Sequence, residues 1–331
     1  MLLGERLVEM ELLAHHKQAH SPFTDNEEMF SFEPFESEDC LNTFKTWITQ
    51  ARSPMEVVSD LLQGACSLYL RACSLTGTVI SSHVSLLAVS MSPDYKLFSI
   101  ATEELQKVDL DKLSPYELLT FFINLFNLLA MHSHLHYVRA KSKQFNKFLP
   151  NLFSKLSYKV GGHLYTLNDL YFTLFRPDQK FPNLSRHEKQ MFGLKSKQKE
   201  NKLPFDVPFD ERVAFALCFG LSDSPNIKIF RADTLDSQLN ECVSEYLARS
   251  VIVHVDKSSV KVPSLLNWIS VDFEEQDLRT LLEKLLSKYQ IKSVLSELES
   301  LNPTAKQVVE VTEFDFSFYY DLNSVHNETQ I

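Results

Sequence analysis

The sequence predicts an α+β protein that is rich in helix and carries a small, mainly antiparallel sheet. Three observations support this fold class. Long apolar segments with helix-start signals dominate the first half, short alternating segments separated by turn residues follow, and no glycine-rich βαβ pattern occurs. With 331 residues, 44% of them hydrophobic, the chain can bury a substantial core.

An acidic segment at residues 33–39 separates a short N-terminal piece from the rest of the chain. No low-complexity linker or internal repeat appears after it, so we expect one main domain. The predicted parts are an N-terminal piece at 1–36, an acidic linker and helix lead-in at 37–49, the main domain at 50–323 and a tail at 324–331.

Two helices of the first half begin with the same Ser-Pro signal. Ser53 and Pro54 predict the N-cap and first position of one helix, and Ser114 and Pro115 predict those of the other. The second helix is apolar on every face, which is typical of a helix at the centre of a domain. Its apolar stretch, Leu118–Met131, is interrupted by polar residues, and we expect it to be too short to span a bilayer.

The second half mixes hairpins, helices and strands. Gly161 and Gly162 between alternating residues predict a hairpin, and Thr166 and Asp169 predict a capping box that begins a helix. The apolar run Val213–Phe219 predicts a buried strand. Further predictions are a helix at 234–250, a hairpin at 251–262, helices at 274–289 and 291–301, and a strand at 306–316.

Charge and composition argue against several functional classes. A net charge of −10 argues against a general nucleic-acid binder, which would need to neutralise phosphates. The seven glycines form no Gly-x-Gly-x-x-Gly or Walker loop, so we expect no nucleotide cofactor. Five scattered cysteines without a C-x-x-C pair fit neither a disulfide framework nor a structural zinc site. No basic-then-apolar leader opens the chain, and we expect a cytoplasmic protein.

The densest histidine cluster is His132, His134 and His136. His132 and His136 lie one helical turn apart, a spacing that can chelate a metal ion. No acidic residue lies within the cluster, and the end of a helix favours histidine through the helix dipole. We therefore predict no metal site.

Asn124 and Asn127 share one face of the apolar helix, so both amides are predicted to be buried and hydrogen-bonded. One interpretation is a clamp that holds adjacent backbone, which we favour because buried amides are usually structural. The other is contact with a ligand or an oxyanion.

Candidate nucleophiles follow the apolar run. Cys218, Ser222 and Ser224 lie in one turn with Asp223, residue types that could act with a histidine base. The segment is not the Gly-x-Ser-x-Gly elbow of hydrolases, and no histidine lies near it in sequence. His132 is the first candidate for a base. A separate basic run, residues 195–202, predicts a solvated loop or a contact with an acidic lipid headgroup or an acidic partner.

Five segments together resemble the family called domain of unknown function 547. They are residues 113–135, 158–176, 210–230, 265–273 and 314–317, in the family's order, and the similarity covers roughly residues 50–320. The N-terminal piece resembles the last third of a DEP domain. That resemblance implies signalling, with peripheral membrane contact only through a full-length DEP domain.

The sequence departs from the family pattern at its reactive positions. The family's histidine is Ala214, its cysteine before a glycine is Phe219, its Ser-Cys-Pro cysteine is Ser224, and its Glu-His pair is Tyr171 and Phe172. The family residues that remain are Asn124, Asn127, His132, Arg176, Gly220 and Pro225. A Cys-and-His set on an α+β scaffold implies comparison with papain- or transglutaminase-like hydrolases, and this chain lacks those parts.

Three functional hypotheses follow. The first is a non-catalytic intracellular interaction or signalling module, whose partner proteins the sequence does not identify and whose contact surfaces could be 195–202 or 33–39. The second is a hydrolase or acyl transferase that uses Cys218, Ser222 or Ser224. The third is a small-anion-binding module that uses Asn124, Asn127 and Arg176.

Overall fold

The computed structural model describes residues 40–73, 79–80, 83–140, 152–176, 182–194, 203–273, 277–301, 308–315 and 319–322. The α+β prediction is confirmed, because helices dominate these residues and the sheets have two or three strands each, mostly antiparallel. The predicted N-terminal piece 1–36, the acidic segment 33–39, the basic run 195–202 and the tail 324–331 lie outside the described residues.

The helices of the described residues surround one long central helix. The α-helices are α1 Pro54–Cys73, α2 His83–Ser90, α3 Pro93–Ala101, α4 Pro115–Ala140, α5 Leu152–Lys155, α6 Arg186–Met191, α7 Leu235–Ser250, α8 Ser264–Ile269, α9 Leu278–Lys288 and α10 Lys292–Glu299. The 3-10 helices are Thr102–Lys107, Leu110–Lys112, Glu211–Phe215, Val255–Lys257 and Ser270–Asp272, and Asp169–Leu174 is a π-helix.

The strands are short and form three small sheets. They are β1 Val79–Ile80, β2 Ser157–Val160, β3 His163–Thr166, β4 Ile252–His254, β5 Ser259–Val262, β6 Val308–Val311 and β7 Tyr320–Asp321. Both predicted hairpins are confirmed, since β2 pairs with β3 and β4 with β5 in antiparallel fashion. Gly161 and Gly162 have φ of 54° and 92°, the left-handed backbone that a tight hairpin turn requires. β6 adds to β5 in parallel, and β7 pairs antiparallel with β1.

Helix α4 is the centre of the core. It packs against α1 and α2, and the side chains of Phe121, Phe122, Phe126 and Met131 are fully buried. Within the described part of the chain, Pro115–Arg139 alone is long and apolar enough to cross a membrane, and its apolar window is wholly buried inside the protein. The helix is therefore longer than the apolar stretch Leu118–Met131 from which it was predicted, and its apolar window contacts protein.

The predicted strand Val213–Phe219 is wrong. Its first part belongs to the 3-10 helix Glu211–Phe215, which Asp210 caps by accepting a hydrogen bond from the Arg212 N–H at 2.9 Å. The rest is irregular chain that reaches Gly220. An apolar run buried on all sides has no periodicity that distinguishes a strand from other buried chain. Here a side chain of α4, rather than a neighbouring strand, satisfies the backbone of this run.

Residues 40–52 form a strap that lies against the 3-10 helix Thr102–Lys107. Glu103 accepts a hydrogen bond from the Lys45 N–H at 2.9 Å, and Gln106 donates to the carbonyls of Asn42 and Lys45 at 2.5 and 2.8 Å. Glu104 pairs with Arg52 at 2.9 Å. These side-chain bonds to backbone give an irregular segment a defined path over the surface.

Candidate functional site

Three of the five positions that the family resemblance marks as reactive lie close together in space. Tyr171 and Phe172 lie on the π-helix, and Phe219 ends the apolar run that enters the turn. The rings of Tyr171 and Phe219 are 5.4 Å apart between centroids, in an edge-to-face arrangement. Single π turns occur frequently at functional sites, so a π-helix at this position is consistent with the location of a site.

An aromatic cluster occupies this place. Phe219 lies 5.2 Å from Phe126 and 5.8 Å from both Phe153 and Phe192, measured between ring centroids. Phe172 lies 6.0 Å from Phe192. The space between these positions is therefore filled by aromatic side chains that contact one another. Each ring pair stabilises the fold in addition to the burial of its apolar area.

A shallow depression borders the cluster. It is lined by Tyr171 and Ala214, two of the marked positions, and by the buried ion pair of Arg176 and Asp272. The depression encloses about 10 Å³, which is room for about one water molecule. For a substrate to bind in this depression, the side chains that line it would have to move.

Asn124 and Asn127 both bind backbone. Asn124 donates to the Phe230 carbonyl at 2.8 Å and accepts from the Phe230 N–H at 2.9 Å. Asn127 donates to the Ala216 carbonyl at 3.2 Å and accepts from the Cys218 N–H at 2.8 Å. These bonds form a clamp that fixes both ends of the segment 216–230 to α4.

The candidate nucleophiles lie inside this clamped segment. The Ser224 hydroxyl donates to the Leu221 carbonyl at 2.8 Å and accepts from the Leu221 N–H at 3.2 Å, so it closes the turn. The Cys218 Sγ lies 3.9 Å from the Ser224 Oγ. Burial raises the pKa of the Cys218 thiol to about 11, so the thiol is protonated at neutral pH. Ser222 is half-buried on the same turn.

Asp223 forms hydrogen bonds that connect the turn to other parts of the fold. Its carboxylate accepts a hydrogen bond from the Asp315 N–H at 2.7 Å, and its carbonyl accepts one from the Tyr246 hydroxyl at 2.9 Å. Burial raises the pKa of the Asp223 carboxyl. The residue ties the turn to α7 and to the C-terminal part of the chain.

His132 lies in a tyrosine pocket away from the turn. Its Nδ1 is 2.7 Å from the Tyr158 hydroxyl, and its Nε2 is 3.2 Å from the Tyr95 hydroxyl and 3.5 Å from the Ser99 Oγ. Burial lowers the pKa of His132 to about 3, so the ring is neutral at physiological pH. None of these contacts is with Cys218, Ser222 or Ser224.

His134 is the histidine that the sequence analysis did not connect with the turn. Its Nδ1 donates to the Ala130 carbonyl at 2.9 Å and lies 3.2 Å from the hydroxyl of Tyr320, which packs on Gly220. Two residues along a helix correspond to a rotation of about 200°, so His134 faces the opposite side of α4 from His132. The sequence shows the histidine cluster, but the packing of α4 determines which of its histidines lies on the side of the turn. Within the described ranges, no group of three or more His, Cys, Asp or Glu side chains could hold a metal ion.

One protein-family model matches part of this chain. Residues 110–247 match the family described as "Protein of unknown function, DUF547". The match includes both asparagines, the π-helix and the turn, so the resemblance predicted from the sequence is confirmed over this range. No match was found among curated proteins or solved structures, and the DEP-like resemblance of residues 1–36 has no support from these comparisons.

The Asn127 clamp can be tested by its removal. Asn127→Ala leaves the Cys218 N–H and the Ala216 carbonyl without partners in the core, so we expect the free energy of unfolding to fall by about 2–4 kcal/mol. Urea denaturation measures this loss. Tyr116→Ala on the same helix is the control, because Tyr116 is 67% exposed and a change of less than about 0.5 kcal/mol is expected. Equal losses for the two variants would contradict a special role of the clamp.

The buried neutral His132 predicts an acid dependence of stability. Its pKa is lowered in the folded state to about 3, so the unfolded chain binds the extra proton between about pH 6.5 and 3. Stability conferred by the neutral ring is complete above pH 6.5 and is lost as the pH falls. We expect His132→Gln to reduce the stability difference between pH 6.5 and 4.5 by about 2–3 kcal/mol relative to the wild type. Unfolding curves at both pH values measure it, and parallel losses in the two proteins would refute the assignment.

Proposed function

We propose that this chain is a non-catalytic, cytoplasmic interaction module in which the reactive positions of the family have become part of the core. The observation that carries the proposal is the aromatic cluster. Tyr171, Phe172 and Phe219 replace a Glu-His pair and a cysteine in the family pattern, and they pack on Phe192 and on one another. None of the five cysteines, all of which lie within the described residues, forms a disulfide, which fits a reducing compartment.

The state of the remaining nucleophiles supports this proposal. With a thiol pKa of about 11, only about one Cys218 in ten thousand is a thiolate at pH 7, and the thiolate is the reactive form. An activated serine needs a base that accepts its proton. The Ser224 hydroxyl instead donates to the Leu221 carbonyl.

The state of the candidate base points the same way. A general base works best when its pKa lies near the working pH, and the pKa of His132 is about 3. Its ring atoms contact two tyrosines and Ser99 rather than a nucleophile. The hydrolase hypothesis therefore has no base at His132.

The groups suggested for a small anion are also engaged. Asn124 and Asn127 use their side-chain amides on the backbone, and Arg176 pairs with Asp272 where both side chains are buried. Breaking a buried ion pair leaves an uncompensated charge, which is strongly destabilising. An anion would have to displace Asp272, so we favour the interaction module.

The strap offers a surface for a partner. Phe44 is 64% exposed and Ile48 is 78% exposed, although the strap that carries them is hydrogen-bonded to the 3-10 helix below it. Two large apolar side chains presented on a segment of defined path are suited to contact an apolar patch on another protein.

The absence of catalysis is tested by labelling with electrophiles. We expect a fluorophosphonate to leave Ser222 and Ser224 unmodified, and iodoacetamide to modify Cys218 slowly in the native protein and faster in urea. Mass spectrometry of peptides measures each rate, and the half-exposed Cys40 is the internal reference. Fast modification of Cys218, Ser222 or Ser224 that disappears on unfolding would indicate an activated nucleophile and would overturn the proposal.

The interaction role is tested by comparing captured proteins. We expect the immobilised wild-type chain to retain at least one protein from an extract of cells that express it, and the double variant Phe44→Ser/Ile48→Ser to lose that protein. Tyr116→Ser is the matched control, because it removes another exposed large side chain elsewhere on the surface. Identical retained sets for the wild type and the double variant would contradict a role of the strap.

A further inference from the structure

The depression that borders the aromatic cluster contains two buried oxygen atoms without a partner. Tyr171 and Asp272 both line it, and Tyr171 and the side chain of Asp272 are each 2% exposed. Asp272 binds Arg176 through its Oδ2, but its Oδ1 and the Tyr171 hydroxyl have no hydrogen-bond partner among the described residues. Buried polar atoms without a partner cost free energy, so a ligand that bonded both atoms would be stabilised there.

The chemistry of these two atoms calls for a hydrogen-bond donor. The oxygen of an ionised carboxylate only accepts hydrogen bonds, whereas a phenol oxygen can accept as well as donate. A ligand with several N–H or O–H groups can therefore donate to both atoms. An anion has no proton to donate to Asp272 Oδ1 and would be repelled by its charge.

The charges that line the depression favour a cation among such donors. Three carboxylates line it, those of Asp210, Glu211 and Asp272, against one guanidinium, that of Arg176. Asp210 and Glu211 pair with basic side chains that do not belong to the lining. A positive group inside the depression would thus lie closer to negative than to positive side chains, and partial exclusion of water strengthens this attraction.

The size and the walls of the depression select the kind of cation. Its volume of about 10 Å³ admits a group the size of one water molecule, which an ammonium group is and a guanidinium or trimethylammonium group is not. The walls include three buried apolar residues, Phe175, Val213 and Leu217, together with Phe209, which is 36% exposed. An alkyl stem lies favourably on such a surface while its charged end binds polar groups.

We propose that this depression binds a primary ammonium group carried on an alkyl chain, and that Tyr171 and Asp272 accept hydrogen bonds from it. Only the ammonium group enters, and the chain leaves past Phe209, the most exposed of the apolar walls. A lysine side chain of a partner protein has this chemistry, and so has a free alkylamine. The lysine source rests on the proposed interaction function, whereas the ammonium site itself does not.

Titration of the full-length protein with n-butylammonium chloride tests the site. The backbone amide NMR shifts of residues 209–217, which form one wall, report occupancy. At constant ionic strength we expect saturable binding with a Kd in the millimolar range, because so small a ligand makes few contacts. Tetramethylammonium, which has no N–H, and 1-butanol, which has no charge, should each bind at least about tenfold more weakly.

Two tyrosine variants make a matched comparison. Tyr171→Phe removes only a hydroxyl that has no partner among the described residues, so the variant should fold and should bind n-butylammonium about tenfold more weakly than the wild type. Tyr165→Phe also removes a buried tyrosine hydroxyl without a partner in the described part of the chain. Tyr165 lies in β3 and does not line the depression, so this variant should bind like the wild type.

Three results would overturn the ammonium site. They are the absence of saturable shifts in the wild type, equal affinities of the wild type and Tyr171→Phe, and equal affinities for n-butylammonium and 1-butanol. The last result would indicate a neutral hydroxyl or water site. Electrophile labelling and protein capture test the proposed function separately, so its failure is distinguishable from the failure of this site.

Short peptides separate the two sources of the ammonium group. If a partner's lysine is the source, an acetylated glycine–lysine–glycine amide should bind at least as tightly as n-butylammonium. The peptide with arginine in place of lysine should bind at least about tenfold more weakly, because its planar head group is larger than the depression. Binding of n-butylammonium without binding of the lysine peptide would overturn the lysine source and assign the site to a free alkylamine.

Discussion

The structure around the turn depends on two amides buried in the centre of an apolar helix. Residues 118–135 of helix α4 are buried, so Asn124 and Asn127 have no water to bind and must find partners within the fold. They find them on the backbone of residues 216–230, which forms no regular strand and would otherwise leave its own groups unsatisfied. The two amides therefore need the backbone of this segment as a partner, and the backbone needs the amides. The helix and the segment are fixed together, and the position of Cys218 and Ser224 follows from this attachment.

Within this frame, the aromatic side chains at the marked positions form a consistent set. A carboxylate or imidazole at position 171, 172 or 219 would lie among the rings of Phe126, Phe153 and Phe192 and would need hydrogen-bond partners there. Aromatic residues at all three positions remove that requirement and bury apolar area. The three aromatic side chains contact one another or shared neighbours, so they stabilise this part of the core as a group.

The sequence predicted what depends on local pattern and missed what depends on long-range packing. Thr166 and Asp169 form the predicted capping box, with the Asp169 carboxylate accepting from the Thr166 N–H at 3.0 Å, and both hairpins lie where glycine or alternation indicated them. The strand at 213–219 failed because uniform burial removes periodicity. The contact of His134 with Tyr320 joins residues 186 positions apart, and no local signal connects them.

The two histidines of α4 show why residue identity alone does not determine the chemistry of this turn. His132 and His134 lie two positions apart, yet His132 Nδ1 contacts the Tyr158 hydroxyl, whereas His134 Nδ1 contacts the Ala130 carbonyl and the Tyr320 hydroxyl. His132 is the histidine that matches the family pattern, and it has no contact with a candidate nucleophile. His134 packs on the phenol of Tyr320, with 5.8 Å between ring centroids, and its Nδ1 donates to the Ala130 carbonyl at 2.9 Å. The identity of a side chain therefore does not settle its role here, because the chemistry of each histidine depends on the groups that the packing of α4 places beside it.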